Sequence, residues 1–322
     1  MKTVPTWRCP ARTSASLSTR RCTATSQTFS PRPRVTTASV VAPLSSASNP
    51  GVINGFSPRR ELRPFVDQIW RYDGLVQEHD LERVLPTGTM QIIINLADDT
   101  SRKYDRDDPR RVETHHGAIV SGPHAGYFII DTAEQVSVLG ISFTPGGAGP
   151  FLGMPASELR DLHVSIENIW GNVARQLREQ LLEAEDSDPF GILEDWLLAR
   201  GNGGLGRHPA VAYALTQFSG VPHTRSISDV TDRVGLSPRR FIELFDAEVG
   251  LTPKLFCRIK RFQHAIRIVH QAEVIDWADL GAMAGYYDQS HMIRDFQEFS
   301  GLNPSAYLKQ RGPHLNHVPL PA

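Results

Sequence analysis

Residues 229–253 read DVTDRVGLSPRRFIELFDAEVGLTP, and residues 279–304 read DLGAMAGYYDQSHMIRDFQEFSGLNP. A shift of 51 places Ser237 on Asp288, Phe241 on Met292, Phe245 on Phe296, Gly250 on Gly301, Leu251 on Leu302 and Pro253 on Pro304. Upstream of the turn the offset is 50, pairing Val230 with Leu280 and Gly235 with Gly285. Each copy therefore spells a short apolar helix, a glycine turn, an N-capping residue, a second helix and a Gly-Leu-x-Pro stop. A glycine turn between two short helices is the helix-turn-helix pattern, whose second helix enters a DNA groove.

In the first copy Ser237 is the expected N-cap and Pro238 sits in the first turn, where its missing N–H costs nothing. Phe241, Leu244 and Phe245 are expected inward, leaving Arg239, Arg240, Ile242, Glu243 and Asp246 outward. In the second copy Asp288 caps, and Met292, Ile293 and Phe296 supply apolar contacts. That leaves Gln289, Ser290, His291, Arg294 and Asp295 on the outer side. Arginine can pair bidentately with guanine, and glutamine with adenine. Between the copies, residues 249–272 contain no acid and five Lys/Arg, namely Lys254, Arg258, Lys260, Arg261 and Arg267. Phe256, Ile259, Phe262, Ile266 and Val269 recur there at helical spacing, so one long amphipathic helix joins the two units. Its basic residues lie mostly off the apolar stripe, and Lys254, Arg258 and Arg261 are expected at phosphates.

The rest of the chain frames this segment. Its 322 residues suggest two domains. A hydrophobic content of 40%, a charged content of 21% and a net charge of −1 describe an ordinary soluble protein without a global basic footprint. Even residues 221–311 hold twelve Lys/Arg against eleven Asp/Glu, so DNA binding would rest on a local patch. Three cysteines are too few for a disulfide framework, and Cys257 falls in a helical pattern as a buried thiol. No apolar run approaches the roughly 18–20 residues that span a bilayer, and a cytoplasmic location is expected. Residues 1–60 hold nine Lys/Arg, no acid and many Ser, Thr and Pro. That composition fits a disordered extension, a chain start assigned too far upstream, or an organellar transit peptide.

From 61 to 150 short apolar runs alternate with turn residues, at 68–76, 90–96, 118–121, 127–131 and 136–143. Their β-branched content favours strands, and their number suggests a small antiparallel barrel or sandwich. The charged stretch 98–114 reads as a hairpin or mobile loop. His115, His116 and His124 fall in this region. Adjacent His115 and His116 must point to opposite faces of a strand, which argues against a shared metal site. Trp70 and Tyr72 share one face, as core or as a ligand-stacking wall. The glycines of Thr144-Pro145-Gly146-Gly147-Ala148 match no phosphate-binding spacing. Helical patterns follow at 155–162, 166–184 and 189–199. In 166–184, Ile166, Ile169, Val173, Leu177 and Leu181 form a stripe that packs on the barrel or on a second subunit. A glycine-rich linker occupies 201–206, a helix starts at Pro209, and a disordered tail is expected over 312–322.

Gly235-Leu236-Ser237-Pro238-Arg239, Phe245, Gly250-Leu251-Thr252-Pro253, Ala284 through His291, Phe296 and Gly301 through Tyr307 resemble the AraC/XylS transcription regulators. The resemblance covers roughly the last third of the chain. It implies two helix-turn-helix units that enter successive major-groove segments. Carried over residue by residue, the base readers are Arg239, Ile242 and Glu243 in the first unit, and Gln289, Ser290, His291 and Arg294 in the second. This chain departs from the family pattern at Ile242-Glu243, where a polar or basic pair is common, and at Thr231 and Gly281, where alanine is usual. Leu85-Pro86-Thr87-Gly88, residues 92–95, Phe143 through Ala148 and Leu152-Gly153 resemble the cupin-like, sensor-type domain of one branch of these regulators.

The expected fold is α+β. A β-rich regulatory domain with a helical end (61–200) precedes an all-α DNA-binding domain (207–311) of two helix-turn-helix units joined by a long helix. The expected function is noncatalytic, sequence-specific regulation of transcription, with no cofactor. Promoter DNA and RNA polymerase are the implied partners, with a small-molecule effector and a second copy of the chain as further ones. Activation and repression both stay open. The competing class is a cupin-like metal enzyme, or a DNA-repair protein fused to a DNA-binding module.

Overall fold

In the computed structural model, which describes residues 52–74, 77–184, 188–201, 204–220, 226–272 and 275–320, the β-branched runs pair into two antiparallel sheets. The strands are β1 (Val52–Phe56), β2 (Val66–Asp73), β3 (Leu81–Val84), β4 (Gln91–Asn95), β5 (Thr100–Tyr104), β6 (Val112–His116), β7 (Ala118–Ser121), β8 (Phe128–Asp131), β9 (Ser137–Phe143), β10 (His163–Ser165) and β11 (His317–Pro319). One sheet has the order β1-β2-β9-β4-β7-β10, the other β11-β3-β8-β5-β6. Registers such as Ile92 opposite Ile141 and Val120 stack branched side chains across β9, β4 and β7, which suits a pleated, buried face. Trp70 lies over Gly140, where a Cβ would come within 2.1 Å of the indole, so only glycine fits there. The 98–114 stretch is the β5–β6 hairpin, paired from Thr100–His116 to Tyr104–Val112.

The helices that follow cover the first sheet. They are α1 (Gly149–Leu152), α2 (Glu167–Trp170), α3 (Asn172–Glu183) and α4 (Pro189–Arg200). The continuous helix expected over 166–184 is broken at Gly171, whose φ of 64° and ψ of −149° lie outside the helical region. The break rotates the apolar face. Ala174, Leu177 and Leu181 are buried in the sheet's core, while Val173 is exposed. The stripe therefore packs on the β-domain itself.

The C-terminal helices are α5 (Pro209–Phe218), α6 (Ile227–Val234), α7 (Pro238–Val249), α8 (Pro253–Gln271), α9 (Trp277–Met283), α10 (Gln289–Ser300) and α11 (Pro304–Gln310). Ser237 accepts from the Arg240 amide at 3.3 Å and Asp288 from the His291 amide at 2.7 Å, as the duplication requires. Gly250 and Gly301 end α7 and α10 at φ of 79° and 71°. Phe241, Phe245, Phe256, Phe262, Phe296 and Phe299 are buried and fill the core between the two units. Thr231 is accommodated because its hydroxyl donates to the Ile227 carbonyl at 2.7 Å, satisfying the polar atom within its own helix.

Two glycines make opposite predictions. At Gly281 a methyl would meet nothing closer than 4.0 Å, so Gly281→Ala is expected to raise stability by about 0.5–1 kcal/mol through helix propensity. At Gly250 φ is positive and a methyl would come within 2.3 Å of Pro123 and 2.8 Å of the Ala156 carbonyl, so Gly250→Ala is expected to lower the melting temperature. Paired thermal unfolding curves check both.

The two regions are less separate than a linker at 201–206 suggests, since the described residues of both belong to one compact unit. Leu85 is buried in the helical core, and Gln263 of α8 donates to the Pro86 carbonyl at 2.8 Å. Arg207 donates to the Pro145 carbonyl at 2.9 Å and to the Thr144 hydroxyl at 3.2 Å. The Leu85–Gly88 and Thr144–Ala148 stretches thus serve as joints to the helical domain. The segment 312–322, expected as a disordered tail, carries β11, which pairs with β3. His317 contacts the buried Glu82 carboxylate at 2.6 Å. Burial by itself would raise the Glu82 pKa, but hydrogen bonds from His317, Gln135 and His79 bring it down to about 2. Order likewise begins before residue 61, because β1 pairs with β2. The remainder of the basic extension, 1–51, lies outside the described residues.

Candidate nucleic-acid interface

A recognition helix must hold its inner face by packing while its outer face stays exposed. In α7, Phe241 and Phe245 are buried, and Arg239, Arg240, Ile242 and Glu243 are exposed. Arg239 Nε lies 2.8 Å from Glu243 Oε1 and Arg240 Nη1 lies 3.8 Å from Glu243 Oε2. One carboxylate therefore faces both cations of this helix. Glu243 also repels phosphate, so Glu243→Gln is expected to tighten DNA binding several-fold and to steepen its salt dependence. Fluorescence anisotropy titrations at two salt concentrations read both effects.

In α10, Gln289, Ser290 and Arg294 are exposed and His291 is half-buried. Two expectations for this helix are corrected. Ile293, expected inward, is 38% exposed, and Asp295, expected outward, is fully buried. Met292, Asp295, Phe296, Phe299 and Ser300 are the buried set, with spacings of three, one, three and one that keep one face of a 3.6-residue helix. Ile293 lies off that face. Asp295 can occupy it because Arg258 of α8 reaches its Oδ1 at 2.7 Å. Asp246, also expected outward, is half-buried against Arg160 of the β-domain.

Arg258 therefore differs from the free phosphate contact expected of it. Its guanidinium bridges Asp295 and, at 2.5 Å, Glu298. Burial works against its charge, but these two carboxylates hold its pKa above the ordinary arginine value. Arg258 braces α8 to α10. Lys254 is exposed. Arg261 stacks over Tyr286 at 5.5 Å, and its Nη2 lies 3.5 Å from His291 Nε2. Lys254, Arg258, Arg261, His291 and Arg294 line a groove of about 760 Å³ between α8, α10 and the start of α6, together with the Asp295 and Glu298 carboxylates. Cys257 is buried beside this groove, and burial pushes its thiol pKa up to about 12, which removes the thiolate that a reactive cysteine needs.

Residues 230–310 match the family described as a helix-turn-helix domain. The C-terminal region is a helix-turn-helix domain. Residues 54–165 match a domain of unknown function (DUF6597). No curated protein matches the chain. Among solved structures, an apo single-residue variant of ToxT from Vibrio cholerae is similar at 13% identity and a TM-score of 0.42, covering 75% of this chain and 96% of its own. Wild-type ToxT from Vibrio cholerae bound to an unsaturated fatty acid aligns at 10% identity and a TM-score of 0.39, over 82% of this chain and 97% of its own. The C-terminal domain of AraT, a response regulator from Geobacillus stearothermophilus, aligns at 19% identity and a TM-score of 0.28, over 33% of this chain and 84% of its own.

The β-domain contacts the C-terminal end of both α7 and α10. Pro123 and Ala156 lie against Gly250, and Arg160 Nε donates to the Gly250 carbonyl at 2.6 Å. Tyr127 lies against Gly301, where a Cβ would come within 2.8 Å of its ring. Residues 123–127 are held in turn from behind. The Ala125 amide donates to Asp161 Oδ1 at 2.6 Å, and Asp161 is the described non-glycine residue with positive φ, at 59°. His124 and His163 are buried beside them, both reaching the Ser121 hydroxyl, at 3.4 and 3.1 Å. His115 joins this cluster, while His116 is exposed on the opposite face of β6. His163 carried no signal in the sequence, because β10 is only three residues long. Among the described residues no group of three or more His, Cys, Asp or Glu is placed to hold a metal ion.

Burial, with a smaller contribution from Lys103, depresses the His124 pKa to about 3, and burial lowers that of His163 in the same direction. Both histidines are neutral in the fold and take up protons more readily once unfolded. Their contribution to stability is therefore complete above the ordinary value of 6.5 and is lost as pH falls from 6.5 toward 3. Urea unfolding between pH 7 and pH 5 is expected to show that loss. The His124 ring packs on Phe128 and His163, and His124→Phe is expected to reduce the slope.

Proposed function

We propose that this chain regulates transcription by placing α7 and α10 in successive major-groove segments of promoter DNA. The exposed first turns of the two helices, capped in the same register, carry this reading. Arg239, Arg240 and Ile242 read one segment, and Gln289, Ser290, His291 and Arg294 read the other. Lys254 and Arg261 contact the intervening phosphates, with Arg258 acting from its brace. The regulator acts without catalysis, in the cytoplasm, and engages RNA polymerase at the promoter. No helix among the described residues is long and apolar enough to cross a membrane.

The β-domain controls the spacing of the two readers. Its contacts fall at the C-terminal ends of α7 and α10, away from the base-reading turns, so it leaves the reading faces open. A small molecule or partner that moves residues 123–127 would change how far apart, and at what angle, the two helices meet DNA. Selection of full-length protein against randomised duplex DNA tests the proposal. The expected product is a two-part motif whose halves lie about one helical turn apart. Recovery of no enriched motif would overturn it.

A further inference from the structure

The duplication aligns two residues that the fold leaves uncovered. Ile242 and Ile293 are 51 positions apart, and each lies five residues past its N-cap, Ser237 or Asp288. They are 44% and 38% exposed. Each sits one turn after an outward polar residue, Arg239 or Ser290, and just before an outward charge, Glu243 or Arg294. Helix propensity does not favour isoleucine at an exposed position, where Ala, Glu or Lys serves better. Met283 and Tyr287 are more exposed, at 59% and 93%, but both precede the cap of α10. In the first unit Arg233 stands at the place of Met283, and Tyr287 is the extra residue that changes the offset from 50 to 51. Only the isoleucines recur at one depth in both recognition helices.

A branched apolar side chain within one turn of an outward arginine on a groove-facing helix has one apolar counterpart in the major groove, the C5-methyl group of thymine. We infer that Ile242 and Ile293 are thymine readers, one in each segment of the operator, so that both segments carry a thymine at the equivalent position. This rests on the reading of α7 and α10 as the base-reading helices and names what each reads at its centre.

The test uses full-length protein and the duplex recovered by selection, with deoxyuridine replacing each thymine singly. Deoxyuridine keeps every hydrogen-bonding group and removes the methyl. Binding is expected to weaken about threefold to tenfold at one thymine in each segment, the scale of one buried methyl. Ile242→Ala is expected to abolish the penalty in one segment only, and Ile293→Ala in the other. Wild-type affinity unchanged at every deoxyuridine position overturns the inference while leaving DNA recognition intact, and assigns the isoleucines to a protein contact. A penalty that persists in both alanine variants also overturns it, because the methyl would then act through DNA shape. Failure to bind any duplex overturns the underlying reading as well.

Discussion

Replacing Arg239 and Arg294 together by alanine is expected to weaken sequence-specific DNA binding by about a hundredfold and to leave the fold unchanged. Both side chains are exposed, on α7 and α10, and neither supports the core. Among the described residues Arg294 bonds only to the Ser290 carbonyl of its own helix, at 3.2 Å, and Arg239 to Glu243 one turn on. Each is free to exchange that local partner for a guanine edge. Loss of one bidentate base contact weakens discrimination by roughly tenfold or more, so the double variant should lose on the order of a hundredfold against a selected site. Nonspecific binding through Lys254 and Arg261 would persist, with a shallower salt dependence. A footprint and affinity equal to those of the unsubstituted protein would remove both residues from the interface.

Arg258→Ala is expected to act on stability first. Asp295 is fully buried on α10, and Arg258 supplies its cationic partner. Removing the guanidinium leaves a carboxylate in the core without compensation, at a cost of about 3–5 kcal/mol. The first unit shows the alternative solution, because the position equivalent to Asp295 is Leu244. Arg258→Met combined with Asp295→Leu should therefore recover most of the loss, since an apolar pair of similar volume avoids the desolvation penalty. Chemical denaturation of the two single variants and the double gives the coupling. If Arg258 were only a phosphate contact, the single variant would unfold like the unsubstituted protein and differ only in DNA affinity.

Local sequence determined the helix-turn-helix scaffold. Caps at Ser237 and Asp288, stops at Gly250 and Gly301, and phenylalanines at helical spacing act within a few residues of themselves, so a one-dimensional pattern carries them. Strands at 90–96, 118–121, 127–131 and 136–143 were legible for the same reason, as runs of branched residues between turns. The assignment of Ile293 and Asp295 to faces was not. A one-position rotation separates core from surface on a short helix, and Asp295 enters the core only because Arg258 arrives from 37 residues away. The contributions of β3, β10 and β11 were equally hidden, since each is three or four residues long and gains its stability from a distant partner strand.

The sequence by itself determined two helix-turn-helix units with matched caps and a long basic helix between them. Tertiary structure decided what surrounds them: Arg258 bound to Asp295 and Glu298, Leu85 inserted into the helical core, and Pro123 and Tyr127 set against Gly250 and Gly301. The division has one physical cause. Capping and helical periodicity are satisfied among near neighbours, whereas neutralising a buried charge or filling a joint depends on groups that only folding brings together.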